Sequence, residues 1–299
     1  MLSEQQFKHL LKVIPPNQTY YSPVQGLVIH HSDRPFSYEN VIQEPSICIV
    51  VKGEREVQLG EQYYLFDEQH FMFCPVNVPM CGKIKQATPE KPFVVLSMKI
   101  DLQAVNKILL EQPALFAEKS ENSTAFTQWD LSPELRNAFE RLLILHENPK
   151  DIEFIAPLIQ QEIYYRLLKG EQGEKLKQMV SFDSNTQKIA KATAYLQAHF
   201  RESIQVETLA ECCGMSLSGF HAHFKKLTTL SPLQYQKTLK LLEAKRLISQ
   251  ENLPVAMAAF QVGYESPSQF SREYKRCFGV SPKESLGRNE NPIQTIQVV

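Results

Sequence analysis

The sequence predicts a multidomain protein: an N-terminal β-barrel followed by helices, and an all-α C-terminal domain holding two helix-turn-helix units. Three observations carry this expectation. Residues 1–100 hold short apolar or alternating runs separated by turn residues. A polar, glycine-containing stretch interrupts the pattern near residue 170. Beyond it, one spaced set of apolar, glycine, aromatic and basic residues is written twice, and no strand-like run follows.

The 299 residues are enough for two ordinary domains, and 43% hydrophobic with 22% charged residues fits a soluble globular chain. No apolar run reaches the roughly 18–20 residues that span a bilayer, so no membrane association is expected. The opening "MLSEQQFKHLLKVIPP" has too short an apolar stretch for an export signal. Cys48, Cys74, Cys81, Cys212, Cys213 and Cys277 show no Cys-x-x-Cys spacing and read as reduced, cytoplasmic thiols. The net charge of −1 hides an asymmetry. Residues 220–288 hold 11 cations against 5 anions, whereas residues 1–180 hold 18 against 23. A basic C-terminal third on an acidic chain points to a polyanion partner for that third.

The elements follow in order. "GLVIHHS", "SICIVVKG", "REVQLG", "YYLF", "HFMFCPV" and "PFVVLSMKI" read as strands, because they are rich in Val, Ile, Tyr and Phe and bounded by turn residues. Close spacing of short strands favours a small barrel or sandwich. Leu131 to His146 reads as a helix capped by Ser132 with Pro133 in its first turn, burying Leu135, Phe139, Leu142, Leu143 and Leu145. Ile152 to Leu168 reads as a second, with Ile155, Leu158, Ile159, Ile163 and Leu167 on one stripe. Residues 1–170 thus form one domain, 171–184 a linker and 185–288 the helical domain. The tail after it reads as frayed.

In the helical domain, Val206, Leu209, Ala210, Gly214 and Met215 repeat as Val255, Ala258, Ala259, Gly263 and Tyr264 with identical spacing. "FHAHFKKLTTLSP" (Phe220 to Pro232) then repeats as "FSREYKRCFGVSP" (Phe270 to Pro282). Each copy reads as a short helix stopped by a left-handed glycine, a capping serine (Ser216 or Ser266), and a second helix anchored by Phe220/Phe224 or Phe270/Tyr274. A helix-turn-helix places such a second helix in the DNA major groove. "SPLQYQKTLKLLEAKRLISQ" (231–250) lies between the units and reads as a strut, with Leu233, Leu239, Leu242, Ala244, Leu247 and Ile248 on its apolar face.

Residues 186–286 closely resemble the DNA-binding domain of the AraC/XylS transcription regulators, most of all in "VAMAAFQVGYESPSQFSREYKRCFGVSPKES". Ala258 stands where that family usually has a larger aliphatic, and Glu284-Ser285-Leu286 replaces its common Tyr-Arg close. "ICIVVKGE" and "QQEIYYRLLKG" extend the resemblance to one branch's N-terminal half. The resemblance implies a cupin-like effector barrel followed by helices that dimerise. It also implies promoter DNA as partner, with RNA polymerase and a small-molecule effector as further expected partners.

The expected DNA-contacting set is Ser216, Ser218, His221, Lys225 and Lys226 in the first unit, and Ser268, Gln269, Arg272, Lys275 and Arg276 in the second. Arg272 suits a guanine edge and Gln269 an adenine, while the later cations suit phosphates. In the barrel, the alternation that points Ile47, Ile49 and Val51 inward, with Val57 and Leu59 from the next strand, makes these five the expected effector pocket. That lining favours a small apolar or aromatic ligand. No cofactor, metal or catalytic residue is expected: His30 and His31 alternate faces, His70 is the only other candidate nearby, and no P-loop, nucleophile elbow or dinucleotide fingerprint occurs. A second reading is an effector-independent DNA-binding protein whose barrel only mediates protein contacts.

Overall fold

The computed structural model describes residues 4–59, 62–113, 128–181 and 184–285. A helix α1 (Glu4–Val13) leads into β1 (Gln18–Tyr21), β2 (Leu27–Ser32), β3 (Phe36–Gln43), β4 (Ser46–Lys52) and β5 (Arg55–Leu59). Then come β6 (Gln62–Phe66), β7 (His70–Cys74), β8 (Val78–Ile84), β9 (Phe93–Lys99), α2 (Leu102–Glu111) and β10 (Gln128–Asp130). Helices α3 (Pro133–Ile144), α4 (Pro149–Lys169) and α5 (Gly173–Val180) complete this half.

The strands form two antiparallel sheets, ordered β1-β2-β9-β4-β7-β10 and β3-β8-β5-β6. No ladder joins the two sheets among the described residues, so they make an open sandwich rather than the closed barrel that the strand spacing suggests. The six-stranded sheet buries both faces. Ile47 and Ile49 pair with Phe73 and Phe71, and pack with Leu96 and Met98 against α2 to α5. Cys48, Val50, Met72 and Cys74 point the other way, into a core shared with Val57, Leu59, Phe66 and Met80 of the second sheet. Helices already cover the outer face, so edge closure is not needed to complete a core.

This arrangement corrects the expected pocket. Ile47 and Ile49 lie in the helix-covered core, and Val51 packs against its margin. Val57 and Leu59 lie between the sheets. The five do not line one interior. Strand β4 is apolar in both phases because both of its faces are buried, so alternation alone could not choose.

The expected linker is also partly structured. Gly173–Val180 is a helix whose Leu176 and Met179 are buried in the N-terminal core. A Cβ at Gly173 would stand 2.1 Å from the Leu168 carbonyl oxygen, so the chain turns there on a glycine. The apolar pair spaced by three is short and set among charges, which hides it in the sequence. Helices α1 and α2 were not apparent there either. α4 starts three residues before the expected Ile152, and its stripe is rotated: Ile152, Ile159, Ile163 and Leu167 are buried while Ile155 and Leu158 face outward.

The C-terminal half comprises α6 (Asn185–His199), α7 (Val206–Cys212), α8 (Leu217–Thr228), α9 (Pro232–Ser249), α10 (Val255–Gln261) and α11 (Pro267–Phe278). α9 has a full capping box between Ser231 and Gln234. Its first half gives Tyr235 and Leu239 to a core with α6, α7 and α8. Its second half gives Leu241, Ala244, Leu247 and Ile248 to a core with α10 and α11. The strut therefore belongs to both units. Leu233, expected on its apolar face, is exposed, and Tyr235 takes the inward place.

Candidate nucleic-acid interface

Each unit is built by the same backbone bonds. Met215 N–H donates to the Ala210 carbonyl at 3.0 Å, and Tyr264 N–H to the Ala259 carbonyl at 2.9 Å. Gly214 and Gly263 take φ of 61° and 81° between the helices. At Gly263 a Cβ would also meet the Arg201 carbonyl oxygen at 2.3 Å, so this position excludes a side chain twice over. Ser216 and Ser266 cap α8 and α11 by accepting from Gly219 N–H and Gln269 N–H, both at 3.3 Å. Phe220/Phe224 and Phe270/Tyr274 are fully buried, with ring centroids 5.5 Å apart in each pair. Two rings one turn apart fix which face of each helix is left outside.

That outer face carries all ten residues singled out in the sequence. Ser218, His221, Lys225 and Lys226 are exposed on α8, and Ser216 at its cap. Ser268, Gln269, Arg272, Lys275 and Arg276 are exposed on α11. Arginine and glutamine side chains can pair with base edges, and exposed cations can meet phosphates.

Residues outside that set hold the two helices in place, and sequence reasoning missed them. Glu273, whose side chain is only 13% exposed, accepts from Lys237 Nζ of α9 at 3.0 Å and from the Tyr264 hydroxyl at 2.8 Å. Gln269 Nε2 donates to the same carboxylate at 3.4 Å. Burial would raise the Glu273 carboxyl, but the hydrogen bonds from Lys237, Tyr264 and Gln269 outweigh it and hold it below the ordinary carboxylate range. Lys240 Nζ donates to the Gly263 carbonyl, and Gln236 Nε2 to the carbonyls of Phe200 and Glu202. The spacing of Gln269 and Glu273 was legible as an i,i+4 pair; the approach of Lys237 was not.

The first unit also joins the N-terminal domain. The Tyr235 hydroxyl donates to the Asn77 carbonyl at 3.2 Å, and Asn77 Nδ2 donates to Gln197 Oε1 at 2.7 Å. Ile42 packs against the first unit's core, while Ala190 and Leu227 pack against the inter-sheet core. Lys175 of α5 is buried over the Trp129 ring at 4.9 Å. Its ammonium is pulled down to about 8 by burial and then by the charge of Lys226.

Two helix-turn-helix frames with exposed, cation-bearing second helices, joined to a two-sheet domain, define the class of a two-domain DNA-binding protein. Comparison with known proteins gives the family. The family model described as AraC-type transcriptional regulator N-terminus matches residues 23–175, and a helix-turn-helix domain model matches residues 209–288. The chain belongs to the AraC/XylS family of transcription regulators. It is 31% identical over 159 residues to the HTH-type transcriptional activator RhaS of Salmonella schwarzengrund, covering 53% of this chain and 56% of that protein. It is 30% identical over 102 residues to RhaS of an Enterobacter species, covering 34% and 37%. The matched region thus spans between about a third and just over half of these relatives. In fold it is similar to ToxT of Vibrio cholerae, with a TM-score of 0.56 at 12% identity over 87% of this chain and 98% of that one. ToxT with a bound unsaturated fatty acid aligns at a TM-score of 0.50 and 10% identity over 91% and 96%. No helix among the described residues is long and apolar enough to cross a membrane.

Proposed function

We propose that the chain binds promoter DNA in a sequence-specific way through α8 and α11 and that a small-molecule effector in its N-terminal domain controls this binding. The carrying observation is the duplicated frame: two exposed, cation-bearing helix faces on matching serine caps and aromatic anchors. Arg272 supplies base choice, and Lys225, Lys226, Lys275 and Arg276 supply affinity through phosphates. The test measures the full chain on specific and scrambled duplexes across salt. Arg272→Ala should cost about 1–3 kcal/mol on the specific duplex only, and Lys226→Ala should weaken both and flatten the salt dependence. Equal behaviour of the two variants refutes this division of roles.

The effector reading draws support from ToxT, which has been solved with an unsaturated fatty acid. Cys48, Val50, Val57 and Leu59 belong to an apolar core between the two sheets, where an apolar ligand would have to displace or part packed side chains. The Tyr235–Asn77 contact offers a route from that domain to Phe224 of α8, whose ring meets Tyr235 edge-on at 5.5 Å. The second reading, a DNA-binding protein whose sheets only mediate protein contacts, is favoured by the dense inter-sheet core, where Met72, Cys74 and Val57 have no exposure. A panel of unsaturated fatty acids and aromatic acids separates the two. A ligand that raises the melting temperature of the full chain and changes its DNA affinity supports effector control. A panel without such a ligand supports the second reading.

The outer face of α4 supports a homodimer. Phe154 and Leu158, at 74% and 52% exposure, stand one turn apart, with Tyr165 two turns on. RNA polymerase is a further partner of this reading.

A further inference from the structure

Gln269 faces outward from α11, and its amide is not left to rotate freely. Glu273 stands one turn behind it and takes its Nε2 hydrogen bond at 3.4 Å. Glu273 is itself held at both oxygens. Oε1 accepts from Lys237 Nζ at 3.0 Å, and Oε2 accepts from the Tyr264 hydroxyl at 2.8 Å. An ionised carboxylate only accepts hydrogen bonds. It therefore takes the nitrogen end of the Gln269 amide and turns the carbonyl end away.

We propose that Glu273 is a positioning residue for base readout, fixing the direction of the Gln269 amide so that it pairs with adenine. This rests on Gln269 being a base contact. Adenine offers N7 as acceptor and N6–H as donor in the major groove, whereas guanine offers two acceptors. With one amide N–H on Glu273, the second N–H and the carbonyl oxygen of Gln269 stay available as a donor and an acceptor in set order. An amide free to flip would present them in either order and discriminate less well. The Lys237 ammonium neutralises the carboxylate, so the anion is carried near the DNA face with its own counter-charge. Because Lys237 belongs to α9, the same carboxylate ties the reading helix to the strut. The matching residue of the first unit is His223, whose Nε2 meets Asn185 Nδ2 of α6 at 3.2 Å and no reading residue. Gly219 stands where the second unit has Gln269, so among the described residues the device belongs to the second unit alone.

The test uses the full chain and a duplex library with a randomised central segment, followed by every single-base change of the selected site. Gln269→Ala should reduce discrimination at one base pair by about fivefold or more. Glu273→Ala should reduce discrimination at that same pair and at no other. Glu273→Ala added to Gln269→Ala should cause no further loss there, because it acts through the amide. Glu273→Gln keeps the side-chain volume, accepts from Tyr264 and offers Gln269 both a donor and an acceptor; it should also lower discrimination, and it decides the matter if the alanine variant does not fold. If Gln269→Ala leaves the base profile unchanged, Gln269 is not a base contact and the proposal falls with that reading. If Gln269→Ala erases the preference while both Glu273 variants keep it, or lose it evenly over all positions, Gln269 stands as the reader and Glu273 is only structural.

Discussion

The two helix-turn-helix units have the same backbone and different attachments. Phe224 and Tyr274 occupy matching places, as do Tyr235 and Ser285. In the first unit the hydroxyl sits on Tyr235 and leaves the unit, donating to Asn77 of the N-terminal domain. In the second it sits on Tyr274 and stays inside, donating to Ser285 at 3.0 Å. The first core takes in Ile42, whereas the second core draws on no described residue before Phe200. One pattern of aromatics is enough to make the unit; the wiring of a few polar atoms decides whether it is coupled to the rest of the chain.

Removing an anchor should expose that difference most strongly. Phe220→Ala and Phe270→Ala each delete a fully buried ring and should cost about 3–5 kcal/mol. Hydrogen exchange should show Phe220→Ala loosening the inter-sheet strands as well as α7 and α8. Phe270→Ala should loosen α10, α11 and the second half of α9, and leave the inter-sheet strands unaffected. Matched spread from both variants would break the comparison.

Acid should act on one side. Burial, then the charges of Arg55 and His31, hold His30 of β2 down to about 4 against an ordinary 6.5, with a Gln18 backbone contact opposing them. The unfolded chain takes its proton first as pH falls. The stability linked to neutral His30 is therefore complete above about 6.5 and is lost as pH drops toward 4, on the order of 3 kcal/mol in all. Melting followed from pH 7 to pH 4 should show the sandwich and first unit weakening before the second unit. His30→Leu should remove most of that slope.

The hydroxyl swap itself is worth less. Tyr235→Phe removes one donor from the Asn77 carbonyl and should cost about 1 kcal/mol. It should also make the two domains melt less cooperatively in calorimetry. Tyr274→Phe should cost a similar amount and leave domain coupling unchanged.

A last effect, no larger than that of the hydroxyls, concerns the helix ends. α8 stops at Thr229 with φ 66°, and α11 stops at Gly279 with φ 74°. A β-branched residue is strained in the left-handed region, and the Thr229 hydroxyl is buried without a hydrogen-bond partner. Thr229→Gly should stabilise the chain by about 1 kcal/mol, and Gly279→Thr should destabilise it by a similar amount, both read from denaturant midpoints.

Much of the DNA-facing half was legible before any coordinates. The glycine turns, serine caps, aromatic anchors and exposed cations are local features, and helical periodicity converts their spacing directly into a buried and an exposed face. In the sandwich local periodicity does not choose between the faces of β4, where Ile47 and Cys48 are equally apolar neighbours on opposite faces. Nor does it mark α5, where the buried Leu176 and Met179 sit among charges.

By itself, then, the sequence determined two recognition units, the side of each that faces out, and a strand-rich domain before them. These follow from rules that operate within a turn or two of chain. Only the tertiary structure decided which core each face of β4 enters, that the sheets remain open, that Tyr235 reaches Asn77, and that Lys237 meets Glu273. Those contacts join residues 36 to 158 positions apart. Local periodicity reports that a side chain is buried, but the partner it meets is set by how whole elements pack.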